Sequence, residues 1–154
     1  MKVEKIETDH QIWRLFADTF KLISRSREME LAQYGLTPEQ SYILHILIDS
    51  GGISTINEIA NLSLRRHNSV STIVKRMEDS GLIKRVKLKE AKHYQIEITE
   101  KGRDLFESSP AKSIEMAFST LSQNEKQNMI KIFNKLSKRT RDLLGIDYKP
   151  LFLE

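Results

Sequence analysis

Between Arg65 and Ile98 the chain places a helix with one apolar and one polar, basic face directly before two β-like runs, and few folds accommodate that order. Val70, Ile73, Val74 and Met77 recur at i, i+3, i+4 and i+7, the buried stripe of a helix predicted over residues 65–80. The opposite face carries Arg66, Asn68, Ser69, Ser71, Thr72, Lys75, Arg76 and Asp79. Gly81 ends that helix, and Leu82 to Leu88 and His93 to Ile98 then read as paired strands joined by Lys89-Glu90-Ala91-Lys92. From Arg65 to His93 there are nine Lys or Arg against three acids, a net of +6. The whole chain is only +4, so everything outside this segment sums to −2.

Charge gathered on one helix and one hairpin is the electrostatic footprint of a phosphate-binding surface. Short hydroxyl and amide side chains are poor helix formers, so helix propensity does not account for Asn68, Ser69, Ser71 and Thr72. They suit a helix end pushed into a major groove, with the hairpin beside it as a wing.

At 154 residues the chain is expected to form one folded unit. No run approaches the ~18 apolar residues of a membrane helix, so no membrane partner is expected. Residues 1–11 mix charges without an apolar segment, unlike a secretory signal, and a cytoplasmic address is expected. With no cysteine, disulfides, thiolate metal sites and thiol redox switches are excluded. His10, His45, His67 and His93 lie on separate elements without metal-ligand spacing, so neither a metal nor another cofactor is expected. There is no Gly-rich phosphate loop, nucleophile elbow or convergent carboxylate pair, and no enzyme is expected.

Helices flank the basic segment. Ile12, Leu15, Phe16, Leu22 and Ile23 predict a long amphipathic helix from about Thr8 to Tyr34, ended by Gly35. Thr37-Pro38-Glu39-Gln40 is a capping sequence for a second helix reaching Asp49, with His45 expected to pack near the core. Ile53 reads as a short edge strand, and Thr55 with Glu58 opens a third helix ending near Ser63. After the hairpin Thr99 caps a helix in which Pro110 forces a bend or interruption, and a kink is expected there. Ser122 and Glu125 open the last helix, whose Met129, Phe133, Leu136, Thr140 and Leu143 form a stripe suited to another helix as far as Gly145. The tail carries Tyr148, Leu151, Phe152 and Leu153, apolar surface that a partner is expected to cover.

This order resembles the MarR family of winged helix-turn-helix transcriptional regulators. The resemblance rests on Asn57-Glu58-Ile59-Ala60 with Leu62, on Ser69 to Glu78 followed by Gly81-Leu82-Ile83, and on Ile98-Thr99-Glu100-Lys101-Gly102. It implies a mainly α fold with a small β-hairpin wing, and a homodimer formed by the N- and C-terminal helices. The expected divisions are a dimerisation helix over residues 1–35, a DNA-binding lobe over 36–104 and dimerisation helices with the tail over 105–154, in one intertwined domain. Glu90-Ala91-Lys92 stands where the family often has Asp, any residue and Arg, so the wing tip lacks the planar guanidinium.

The candidate DNA-binding residues are Arg65, Arg66, Asn68, Ser69, Ser71, Thr72, Lys75 and Arg76 on the helix and Lys87, Lys89 and Lys92 on the wing. Arg76 has a competing partner in Asp79, and strand lysines such as Lys84 also discourage edge-to-edge aggregation. The expected function is that of a homodimeric repressor reading a pseudo-palindromic operator in double-stranded DNA, and the resemblance implies a small-molecule effector in a pocket between the first, second and fifth helices. Trp13, Phe16, Tyr42 and His45 are candidate pocket or core residues. A winged helix serving as a protein-interaction module is the alternative, and the charge segregation argues against it.

Overall fold

The computed structural model of the chain describes residues 2–90 and 92–152, with side chains from Thr8 onward. Ala91 of the wing tip and Leu153 of the tail lie outside the described residues. The elements run α1 (Lys2–Ala32), α2 (Pro38–Asp49), β1 (Ile53–Ser54), α3 (Ile56–Ser63), α4 (His67–Asp79), β2 (Ile83–Val86), β3 (Gln95–Ile98), α5 (Glu100–Ser108), α6 (Lys112–Phe118) and α7 (Gln123–Leu144). This is a mainly helical winged helix with a small antiparallel sheet in the order β1-β3-β2.

Local chemistry sets most helix starts. Thr37, Thr55 and Ser122 each form a reciprocal capping box with Gln40, Glu58 and Glu125, as their spacing predicts. Thr99 caps α5 by accepting from the Gly102 amide. Helix α1 starts earlier than Thr8, at Lys2, because the residues before Thr8 are mostly helix formers and no cap stops the backbone there.

Pro110 does more than kink its helix. Ser109 is extended (φ −85°, ψ 108°), as a residue preceding proline prefers, and the chain breaks into α5 and α6. The Phe106 carbonyl, whose usual helical donor proline lacks, accepts the Ser109 hydroxyl at 2.9 Å and the Ser109 amide at 3.3 Å.

Every fully buried apolar side chain among the described residues lies between Leu31 and Ile98. Leu44 and Leu47 of α2, Ile59 of α3, Val70 and Val74 of α4 and Ile96 of β3 form the centre of that core. The strands are shorter than their sequence suggests, pairing Ile83 with Ile98 and Val86 with Gln95. Beyond them Leu88 and Tyr94 are exposed, because no core lies under the tip to reward further pairing. His45 is exposed too, its ring edge-on to Phe106 with centroids 5.4 Å apart and its Nε2 3.6 Å from Asp49. The burial of Ile43, Leu44, Ile46 and Leu47 turns position 45 to the outer side of α2.

Candidate nucleic-acid interface

Helix α4 begins at His67, two residues later than its apolar stripe suggests, and the cause is the turn before it. Leu64 adopts φ +53° and ψ +35°, and the Arg65 amide reaches back to the Ala60 carbonyl at 3.0 Å, which closes α3 in the left-handed cap usually given to glycine. Arg66 follows as an extended N-cap residue (φ −71°, ψ 143°). Leu64 is 62% exposed, so its side chain contributes little packing to offset the strain. Leu64→Asn is therefore expected to stabilise the fold by about 0.5–1 kcal/mol, since asparagine tolerates this conformation better. Thermal melting checks it, and a lowered melting temperature contradicts it.

Val70, Val74 and Met77 anchor α4 in the core, while Asn68, Ser69, Thr72, Lys75 and Arg76 lie exposed on its outer side and Ser71 half-buried at the edge. The Thr72 hydroxyl donates to the Asn68 carbonyl at 3.0 Å, which leaves its lone pairs outward. Arg66 makes no side-chain cap and the first turn has no acid, so the opening amides of α4 face solvent beside Arg66. His67 is exposed on the same turn, and a search for amphipathic spacing passes over it.

The wing is latched to the end of α4. Thr99 Oγ1 donates to the Gly81 carbonyl at 2.6 Å, Lys101 Nζ to the Ser80 carbonyl at 2.7 Å, and Arg85 Nε to Glu78 Oε2 at 3.1 Å. Helix and wing thus share one frame, set partly by Thr99, Lys101 and Glu78, residues outside the predicted basic set.

The cations divide into two groups. Arg65 pairs with Glu39 of α2 at 3.3 Å, Arg85 with Glu78, and Lys84 with Glu97 across the sheet at 3.5 Å. Among the described residues no ion pair engages Arg66, Lys75, Arg76, Lys87, Lys89 or Lys92; Arg76 does not pair with Asp79. All six are exposed on one frame, so the sequence's charge excess survives as unneutralised surface. Glu39, Glu78 and Glu97 belong to other elements than the cations they pair with, and spacing along the chain did not reveal them.

Away from this face, Tyr42, His45, Asp49 and Leu62 enclose a cavity of about 60 Å³ against Pro150, Leu151 and Phe152 of the tail. Burial pushes the Tyr42 hydroxyl above its ordinary pKa, so it stays protonated. A wider apolar groove of about 780 Å³ runs between α1, α6 and α7, lined by Phe16, Phe20, Ile114, Phe118 and Phe133. Among the described residues no three metal-ligating side chains converge, and no helix is long and apolar enough to cross a membrane.

The MarR family model matches residues 34–92, from the end of α1 through the wing. The uncharacterized HTH-type transcriptional regulator YkoM of Bacillus subtilis (strain 168) is 24% identical over 145 residues, covering 92% of this chain and 94% of that protein. Among solved structures, the organohalide-sensing RdhR-CbdbA1625 transcriptional regulator in its 2,4-dichlorophenol-bound form is 29% identical with a TM-score of 0.85, over 99% of this chain and 94% of that one. Reduced AbfR bound to DNA is 25% identical with a TM-score of 0.73, over 94% of this chain and 99% of that one. Residues 34–92, which hold the basic helix and the wing latched to it, thus match the MarR family, and nearly the whole chain is similar to DNA-binding transcriptional regulators.

Proposed function

We propose that the chain acts as a homodimeric repressor whose two α4 helices read a pseudo-palindromic operator. The observation that carries the DNA-reading part is the exposed α4 face locked to the wing, the two together carrying six cations that make no ion pair among the described residues. In this reading Arg66, Asn68, Ser69, Ser71, Thr72, Lys75 and Arg76 meet base edges and phosphates in the major groove, and Lys87, Lys89 and Lys92 meet phosphates alone. Arg65 joins them by releasing Glu39 or by staying paired and fixing the turn. The likeness to AbfR, solved on DNA, supports it.

Dimerisation is supported by what α1 and α7 leave uncovered. Helix α7 buries no residue over its 22 residues, and Phe133, Leu136 and Leu143 stand 40%, 56% and 66% exposed. Ile12, Trp13, Leu15, Phe16 and Phe20 are likewise exposed on α1. Apolar surface of this extent suits an interface, and in this reading the end segments (1–35 and 105–154) pair with a second copy while a central lobe (36–104) carries the DNA face. A dyad through that seam sets the two α4 helices about 34–36 Å apart, one turn of DNA. The groove between α1, α6 and α7 lies at the same seam, and the likeness to a regulator solved with 2,4-dichlorophenol supports a small apolar effector there. Such an effector acts by its preference for one lobe arrangement.

Residue substitutions separate helix from wing. Asn68→Ala or Ser71→Ala is expected to change which sequences bind, at about 1–3 kcal/mol for the affected base pair. Lys89→Ala is expected to weaken every site alike and to lower the salt slope by about 1. Binding to a panel of single-base operator variants at two salt concentrations checks both, and the reverse assignment of effects contradicts the reading.

A further inference from the structure

We propose that Arg27 and Glu30 of α1, with Ser113 of α6, form a clasp that sets the angle of the DNA-reading lobe relative to the dimer framework; this rests on the dimeric reading above. The lobe leaves toward α6 and α7 through Ser109-Pro110-Ala111, the break between α5 and α6. One turn of α1 grips that break and the first turn of α6 beyond it, and Leu31, next to Glu30, ties the same end of α1 into the lobe's core. Arg27 Nη1 donates to the Pro110 carbonyl at 2.5 Å and to Glu30 Oε2 at 2.8 Å. Glu30 accepts the Ser113 amide at 3.3 Å and also the Ser113 hydroxyl. Helix α6 has no side-chain cap of its own, since Ala111 stands at the N-cap, so Glu30 supplies that role from another helix.

The clasp is shielded, with the Arg27 and Glu30 side chains 18% and 12% exposed. Burial pushes the Glu30 carboxyl up, but hydrogen bonds from Ser113 and Arg27 and the guanidinium charge outweigh it and hold the carboxyl below its ordinary range. It stays ionised at neutral pH. Apolar side chains of similar volume would hold α1 to α6 as strongly as a shielded ion pair, so cohesion alone does not explain one. What the polar version adds is direction. Two bonds converge on Glu30 from Ser113 and one reaches across to Pro110, and together they allow one geometry at the joint.

At its other end α5 is fixed to the wing base through Thr99 and Gly102. A rotation at residues 109–111 therefore swings helix α4 and wing as one body, and the spacing between the two α4 helices of a dimer is the quantity it changes. Ser113→Ala and Glu30→Gln loosen the joint without touching the DNA face.

The test uses the full chain and duplexes carrying two half-sites at the preferred spacing, and with one or two base pairs inserted. Wild type is expected to discriminate sharply against the insertions. Each variant, checked for folding by thermal melting, is expected to bind the preferred spacing about tenfold more weakly, a usual size for coupling between distant sites, and to discriminate less. Variants that keep the wild-type spacing preference, whether or not overall affinity falls, overturn the clasp as a positioning device. A wild type indifferent to spacing overturns both the clasp and the dimeric reading beneath it. Should Glu30→Gln fail to fold, Ser113→Ala removes only a hydroxyl and tests the same joint by the same spacing preference.

Discussion

A chain carrying Phe133→Asp is expected to sediment as a monomer and to bind its operator no better than random DNA, on the order of 10³-fold weaker than wild type or more. Phe133 lies 5.8 Å, centroid to centroid, from Phe16, and Phe16 continues to Trp13 at 6.2 Å and Phe20 at 6.5 Å. This aromatic row joins α1 to α7, and its rings stay well exposed. In a two-fold dimer a charge placed there enters the seam twice, once from each copy, and an unpaired buried carboxylate is among the most disfavoured groups a protein interior can hold. The buried core among the described residues runs from Leu31 to Ile98 and does not include Phe133, so helical content should persist. Sedimentation and operator titration on the same sample check the result; a stable dimer with undiminished affinity contradicts the assignment of the seam.

Gly102→Ala is expected to destabilise the fold by about 2–3 kcal/mol, the upper range for overpacking a filled site. On helix propensity alone the change should help by about 1 kcal/mol, since Gly102 sits inside α5. Space decides the opposite sign. A Cβ at that position falls 2.1 Å from the Leu82 carbonyl oxygen and 3.1 Å from Ile98 Cγ1, where one partner is backbone and cannot swing aside. Leu82 lies between the end of α4 and β2, and its carbonyl accepts the Thr99 amide at 3.1 Å. Pushing α5 outward thus loosens the latch between α4 and the wing as well as the core. Chemical denaturation measures the stability loss, and an unchanged or raised midpoint contradicts the close packing described here.

How much of this was written in the sequence depends on how local the cause is. The caps at Thr37, Thr55, Thr99 and Ser122 are decided by a side chain and an amide three residues on, so spacing alone locates them. The stripe Val70, Val74 and Met77 is likewise a matter of period, and it is buried as expected. Leu64 is the contrary case, because nothing about leucine announces a left-handed backbone; the Arg65-to-Ala60 hydrogen bond imposes it and delays α4 to His67. The basic face was visible as a charge excess, yet its division was not. Glu39 neutralises Arg65 from 26 positions away and Glu78 takes Arg85 from the next element, contacts that exist only once the lobe has folded. The clasp at Glu30 spans 83 positions and has no local signature at all.

The basic helix and wing, the feature that orders everything else in the chain, are tested most directly by DNA that the protein itself selects. Duplexes enriched from a random pool by the full chain should converge on two inverted half-sites about one helical turn apart. Affinity for that sequence should fall steeply between 50 and 200 mM salt, about 10³-fold or more if six or more phosphates are engaged. Binding that selects no sequence, or a single half-site with a shallow salt dependence, would contradict a dimer that reads DNA through α4 and its wing.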